Sequence, residues 1–355
     1  MTRHTTTYSA LDFFAGSGLV GLALAPYYVT AWACDIDKRK AATYRANLDP
    51  AQLHVCDVAS VDGTTLPPAA LSWASFPCQD LSLAGKLGGV TASRSGLVWH
   101  WLRTLEEQAD DAPRVVCAEN VAGLVSSNRG HDYASVHAAL AALGYRVGCV
   151  LLNASRWIPQ SRPRVFVVGT RGTIPDDITS DGPTWAHPAA VVRAAGLVDG
   201  FTWWRIPEPP PRVATVADIV QHGQPWDATR TAELIPPRQL AKLTSSGRKY
   251  ATAYRRTRGG VQVTELRCDG VAGCLRTPAG GSSRQYLVKL DDDGKPVARL
   301  LTAREVARLM GAPDSYVLPA NYREAYHAMG DAVAVPVVSW LAKYLLLPLT
   351  EAAYG

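Results

Sequence analysis

Tyr8-Ser9-Ala10-Leu11-Asp12-Phe13-Phe14-Ala15-Gly16-Ser17-Gly18-Leu19-Val20-Gly21 reads as a short buried strand that breaks at once into glycines and then a helix-like segment, Leu22 to Pro26. This is the GxGxxG pattern after a strand, in which glycines turn the backbone tightly and bring it close to a ligand. A second strand, Val29 to Cys34, ends at Asp35, 19 residues after Gly16, where a carboxylate accepts from the hydroxyls of an adenosine ribose. Asp37 is the alternative. Lys38 to Leu48 has helical spacing, and a third strand, Leu53 to Val55, delivers Asp57, placed to accept from an adenine amino group. Strands alternating with helices and ending in polar residues predict a doubly wound α/β sheet with an adenosine cofactor across the strand ends. These residues fit a nicotinamide dinucleotide and S-adenosylmethionine equally well.

Outward from there, the apolar run Ala70 to Ala74 predicts a strand that stops at Phe76-Pro77-Cys78-Gln79, holding a thiol at the rim of the sheet. Cys78 is a candidate nucleophile, although most free cysteines are simply small buried residues. The loop 80–96 contains Gly85, Gly88, Gly89 and Gly96 with Lys86 and Arg94, a composition suited to a lid closing on phosphates and equally to an ordinary loop. Leu97 to Glu107 predicts a helix. Val115 to Ala118 is another buried strand and delivers Glu119-Asn120-Val121, with Glu119 a proposed acid because burial raises a carboxyl pKa. A helix over Tyr133 to Leu143 and a strand over Tyr145 to Leu152 follow. Then Pro159-Gln160-Ser161-Arg162-Pro163-Arg164 leads into the apolar Val165 to Gly169, with Arg162 and Arg164 expected on one face of an extended segment.

The chain has 355 residues, enough for a large domain and a smaller one, and its 47% hydrophobic and 19% charged content is that of an ordinary globular protein. Seven scattered cysteines without CxxC spacing suit a reducing cytoplasm and imply neither disulfides nor a zinc site. Gly18 to Ala25 superficially resembles a signal peptide, but Asp12 and the glycines interrupt it, so secretion is not expected. No membrane span is expected either, because the apolar run Ala332 to Leu349 is broken by Pro336, Lys343 and Pro348. Of the net charge of +5, the segment from Trp185 to Leu290 holds 15 Lys and Arg against 7 Asp and Glu, a net +8 on a body of −3. From about Gly182, prolines replace strand-helix alternation. The densest basic stretch, Arg248-Lys249-Tyr250 through Tyr254-Arg255-Arg256-Thr257-Arg258, suits backbone phosphates and base edges. Thr302 and Glu305 form a capping box for a helix that stops at Gly311, and the apolar C-terminal segment needs burial against the first sheet.

The ordered set DFFAGSG (12–18), FPCQ (76–79), ENV (119–121), QSRPR (160–164), LTAREVARLMGAPDSY (301–316) and GDAV (330–333) resembles the cytosine-C5 DNA methyltransferase family, bacterial or phage type. The resemblance covers nearly all of the chain outside the region between QSRPR and LTARE. It implies a Rossmann-like S-adenosylmethionine-dependent sheet in residues 1–181, a smaller, irregular, mostly β target-recognition domain in 182–290, and a return to the catalytic domain in 291–355. Catalysis falls to Cys78, Glu119, Arg162 and Arg164, with Cys78 adding to C6 of a flipped cytosine. The cofactor pocket maps to Phe14, Ala15, Gly16, Gly18, Leu19, Asp35, Ile36, Asp57, Val58, Pro77, Leu97, Asp331 and Val333. DNA contacts map to Gln79, Ser82, Lys86, Arg94, Arg248, Lys249, Arg255, Arg256, Arg258 and Arg284.

The chain departs from the resemblance at Asp331, where relatives usually carry Asn. An extra carboxylate there either alters affinity for S-adenosylmethionine or a modified relative of it, or is a tolerated replacement held by a nearby donor. The expected partner is double-stranded DNA, with a possible cognate restriction endonuclease, no membrane, no metal, and a monomer in the cytoplasm. The alternatives are a tRNA cytosine-5 methyltransferase of the same family, a variant with a modified donor, a nicotinamide oxidoreductase, and a DNA-binding protein without catalysis. The oxidoreductase leaves FPCQ, ENV and QSRPR unexplained, and retention of Cys78, Glu119, Arg162 and Arg164 argues against a non-enzyme.

Overall fold

The computed structural model describes residues 8–77, 96–228, 231, 235–259, 261–277 and 284–355, without the side chains of residues 238, 257 and 258. The chain divides into two compact units, one of Met1–Leu152, Pro163–Glu208 and Val338–Gly355, the other of Asn153–Arg162 and Pro209–Val337.

The first unit carries strands β1 (Tyr8–Phe13), β2 (Tyr28–Asp35), β3 (Leu53–Val55), β4 (Leu71–Ala74), β5 (Val115–Val121), β6 (Arg146–Asn153) and β7 (Pro163–Thr170) in the order β3-β2-β1-β4-β5-β7-β6. Pairs β2/β3, β1/β2, β1/β4 and β4/β5 are parallel, whereas β7 runs antiparallel to β5. The helices α1 (Leu19–Leu24), α2 (Lys38–Arg45), α3 (Leu97–Glu107) and α4 (His131–Ala142) separate them. This is the doubly wound sheet that the alternation predicts. The strands run as continuous apolar segments because both sheet faces are covered, and β4 and the first six residues of β5 are buried throughout. Trp73 and Trp101 are fully buried, and Trp101 donates its indole N–H to Ser72 Oγ at 2.9 Å, fixing α3 on β4.

Winding runs outward from β1 to β2 and β3, then restarts on the other side at β4. The carboxyl ends of β1 and β4 therefore flank the point where strand order reverses, and ligands of such sheets bind there. Phe14 to Gly18 leave one side of that point, and Ser75 to Pro77 leave the other.

The second unit contains an antiparallel sheet, β11-β10-β8-β9, formed by β8 (Tyr250–Arg258), β9 (Val261–Arg267), β10 (Gln285–Leu290) and β11 (Pro296–Leu300). One face, with Ala251, Ala253, Val288 and Ala298, packs on Ile235 and on Leu243 of the helix Pro237–Ser245. The expected capping box is present: Thr302 Oγ1 accepts from Glu305 N at 3.2 Å, and Thr302 N donates to Glu305 Oε2 at 2.8 Å. Glu305 is fully buried, and Arg299 satisfies both of its oxygens, at 2.6 and 2.7 Å.

Within the helical run Tyr322–Tyr354 an 18-residue stretch of mean hydropathy 1.7 is long and apolar enough by composition to cross a membrane, although the run contains Lys343. Its side chains Val338, Leu341, Leu345, Leu346 and Leu349 are buried, as in a core helix, and Tyr28 OH lies 2.9 Å from Thr350 Oγ1.

Candidate active site

Three left-handed residues in five turn the chain off β1: Phe14 (φ 61°), Gly16 (φ 56°) and Gly18 (φ 86°). Phe14 has a side chain, so its conformation is strained by about 1–2 kcal/mol, a kind of strain that collects at functional sites. Gly18 is required twice over, since a Cβ there would lie 2.6 Å from Leu48 Cδ1 and 2.9 Å from the Tyr44 ring. Ala15 and Leu19 are buried beside it. Asp35, at the end of β2, accepts from Gly16 N through Oδ2 and from Asp37 N through Oδ1, both at 2.8 Å, which ties the glycine turn to the neighbouring strand. Each oxygen keeps a lone pair for a further donor. Asp37 is the N-cap of α2. Ile36 is 67% exposed, an apolar surface beside Asp35. Asp57 accepts from Ala59 N at 2.9 Å and Val58 is buried. Pro77 is exposed, and Leu97 opens α3.

Asp12 opens the DFFAGSG motif, but sequence reasoning assigned it no role at the site. Both carboxyl oxygens are buried and lack a hydrogen-bond partner among the described residues. Burial first, and the negative charge of Asp35 second, push its carboxyl well above the usual carboxylate range.

On the other side of the reversal point, Glu119 projects from β5 and meets Arg164 at the start of β7, with Glu119 Oε1 2.9 Å from Arg164 Nε. The antiparallel register sets Arg164 opposite Val121, two residues from Glu119 and so on the same face. Both side chains are nearly buried, at 8% and 15% exposure, and the guanidinium offsets the desolvation of the carboxylate. Next to Glu119, Asn120 donates from Nδ2 to Phe76 O at 2.9 Å and accepts from Val121 N at 2.8 Å. It therefore fixes the backbone two residues before Cys78 to the strand end bearing Glu119. Cys78, Gln79, Ser82, Lys86 and Arg94 lie outside the described residues.

Arg162 has different partners from Arg164. The strand begins only at Pro163, and Arg162 belongs to the second unit, where its 2%-exposed side chain donates to Leu275 O (2.8 Å), Gly330 O (3.0 Å) and Ala332 O (2.6 Å). Asp331 accepts from the Thr277 hydroxyl, and Val333 is buried. Among the basic candidates, Arg248 and Lys249 are exposed, with Lys249 Nζ 5.6 Å from the Tyr250 ring centre. Arg255 and Arg256 occupy opposite faces of β8: Arg255 shares the face of Ala251 and Ala253, while Arg256 shares that of Tyr254. Arg256 pairs with Glu265, which also accepts from Tyr254 OH at 2.7 Å. Arg284 lies 5.5 Å from the Tyr322 ring centre, and the Arg258 side chain is outside the description. Among the described residues no cluster of His, Cys, Asp and Glu could hold a metal ion.

A doubly wound sheet with a reversed seventh strand, a glycine turn and acid-ended strands at the reversal point defines a Rossmann-like methyltransferase. Residues 8–346 match the model of the C-5 cytosine-specific DNA methylase family, and the chain belongs to that family. It is 28% identical over 349 residues to the type II methyltransferase M.HhaI of Haemophilus parahaemolyticus, spanning 96% of this chain and 94% of that one. It is 26% identical over 343 residues to the type II methyltransferase M.Bsp6I of a Bacillus species, spanning 94% and 96%. The fold is also that of the Dnmt2 methyltransferase of S. pombe, with TM-score 0.62, 19% identity and coverage of 96% and 98%.

The chain is thus a DNA cytosine-5 methyltransferase whose methyl donor is S-adenosylmethionine. The first unit fits such a donor. A Cβ built on Gly16 meets nothing closer than 3.9 Å, so the turn presents an open backbone face, with the Asp35 carboxylate beside it.

Proposed function

We propose that the protein methylates C5 of a flipped cytosine in a specific duplex DNA sequence through a covalent Cys78 adduct. The observation that carries this reading is the buried Glu119–Arg164 pair, with Asn120 holding the Phe76 carbonyl at the same strand end. C5 of cytosine is too weak a nucleophile to take a methyl group unaided. Adding the Cys78 thiolate to C6 makes C5 enamine-like, and Glu119 assists by protonating or hydrogen-bonding N3, an effect worth about 10²–10⁴ in rate. Arg164 orients Glu119 and contacts the ring. S-adenosylmethionine, held by the Phe14–Leu19 turn, Asp35, Ile36, Asp57, Val58, Pro77, Leu97, Asp331 and Val333, supplies an electrophilic methyl group. Loss of the C5 proton and expulsion of the thiolate then restore the aromatic ring. A stacked base hides C6, so the cytosine must leave the helix, at a cost of a few kcal/mol.

Residues 182–290 carry target recognition in this reading, with Arg248, Lys249, Arg255, Arg256, Arg258 and Arg284 as its cations. The type II names of the relatives support a restriction-modification role; a cognate endonuclease, a monomeric state and action on cytoplasmic DNA complete the reading. Incubation with tritiated S-adenosylmethionine and mixed-sequence duplex, with tRNA in parallel, tests it. Label in 5-methyldeoxycytidine from the duplex is expected, and Cys78→Ala should abolish transfer while retaining DNA binding. Label confined to tRNA would overturn the DNA assignment.

A further inference from the structure

Gly330-Asp331-Ala332-Val333 is docked on the segment Leu275-Arg276-Thr277 by three independent features of the second unit. The Arg162 guanidinium bridges them, with Nη1 donating to Leu275 O and Nη2 to Gly330 O and Ala332 O at 2.8, 3.0 and 2.6 Å. The Thr277 hydroxyl donates to Asp331 Oδ1. Gly330 has no room for a side chain, because a Cβ would lie 2.9 Å from Arg276 C and from Thr277 N. Arg162 is itself rigidly presented: its N–H donates to Asn153 Oδ1 at 2.9 Å and its carbonyl accepts from Ala154 N at 3.1 Å, closing the segment Asn153–Arg162 on itself. Gln160 adds a second anchor, accepting from Leu275 N at 3.0 Å and donating to Leu309 O at 2.5 Å.

We propose that Arg162 and Thr277 are positioning residues that latch the Gly330–Val333 segment and thereby set the affinity for S-adenosylmethionine, with Asp331 the acceptor half of the latch. This rests on the reading of Asp331 and Val333 as cofactor-binding. A threonine hydroxyl facing a carboxylate can only donate to it, so the bond has one direction and is charge-assisted. One oxygen of the Asp331 carboxylate is thus engaged by Thr277. The bond orders the backbone that carries Val333.

The test measures S-adenosylmethionine dissociation by calorimetry, and KM and kcat with duplex DNA, for the wild type, Thr277→Val, Thr277→Ser and Arg162→Lys. Thr277→Val keeps the shape and removes the donor; it is expected to raise the dissociation constant about 5–10-fold, with Thr277→Ser restoring it. Arg162→Lys has one nitrogen for three carbonyls and is expected to raise KM for the donor more than it lowers kcat. A wild type that binds the donor, with Thr277→Val binding equally well, overturns the latch alone. Loss of affinity in Thr277→Ser equal to that in Thr277→Val overturns it too, since packing rather than the hydroxyl would then matter. A wild type that binds no donor overturns the cofactor reading on which the latch stands.

Discussion

Replacing Asn120 by aspartate changes one atom's chemistry at the point where two strand ends are fastened together. Asn120 is 2% exposed; its Nδ2 donates to Phe76 O at 2.9 Å and its Oδ1 accepts from Val121 N at 2.8 Å. The introduced carboxylate would keep the bond from Val121 N and lose the other, setting one of its oxygens against a carbonyl oxygen at hydrogen-bond distance. The Phe76 carbonyl is left without its donor, worth about 1–3 kcal/mol, and the repulsion is relieved only by moving the backbone two residues before Cys78. A displacement approaching 1 Å at a reacting group lowers the rate by about 10². Asn120→Asp should therefore lower single-turnover methyl transfer about 10–100-fold and slow adduct formation with a duplex containing 5-fluorocytosine. Binding of S-adenosylmethionine, proposed to involve Asp35, should change little. Asn120→Ala, which removes both bonds without adding charge, separates lost anchoring from repulsion. Wild-type transfer rates in Asn120→Asp would refute the claim that this amide positions the strand end leading to the proposed nucleophile.

Gly18→Ala should destabilise the protein by about 2–5 kcal/mol, combining left-handed strain with overpacking against Leu48 and Tyr44, measured by urea unfolding. His187 is buried against Phe201 and Trp203, and burial lowers its pKa from 6.5 to about 4. The unfolded chain binds this proton more tightly than the folded one, so its contribution, about 2–3 kcal/mol, is complete above about pH 6.5 and disappears as pH falls toward 4. Thermal melts between pH 7 and 4.5 should show this loss, and His187→Gln should flatten it. The Cys34 thiol donates to Cys56 and lowers the Cys56 pKa, whereas burial raises that of Cys268. Iodoacetamide near neutral pH should label Cys56 ahead of Cys268 in peptide maps, and Cys34→Ala should reduce that preference.

Much of the first sheet was legible because its signals are local. Apolar runs bounded by glycine, proline or an acid mark β1 to β5, and Leu97–Glu107 matches its helical spacing from end to end. The capping box at Thr302 and Glu305 is a contact between residues three apart and needs no tertiary knowledge. The contacts that shape the site are long-range and leave no such trace. Asn120 and Phe76 are 44 residues apart, and neither residue type announces the other. Arg162 reads like Arg164 until the start of β7 is known, after which one belongs to the strand and the other to the segment before it. The reversed direction of β7 is invisible because a fully buried strand has the same composition either way up. Arg255 and Arg256 looked like one basic patch, yet strand alternation puts them on opposite faces once the register is known. Asp12 was given no role for the opposite reason, since a charged residue in an apolar strand looks like an interruption until its burial without a hydrogen-bond partner among the described residues is seen.

The ten residues Asn153–Arg162 are inserted between two strands of the first unit, yet they belong to the second. Neither unit is therefore a continuous length of chain, and a single cut cannot release either one whole. Recombination that exchanged only Pro209–Val337 with a relative would leave Gln160 and Arg162 facing carbonyls they had not evolved with. An exchange of sequence specificity would be expected to succeed when this short insert travels with the larger piece, which makes the insert a natural choice of graft boundary for engineered hybrids.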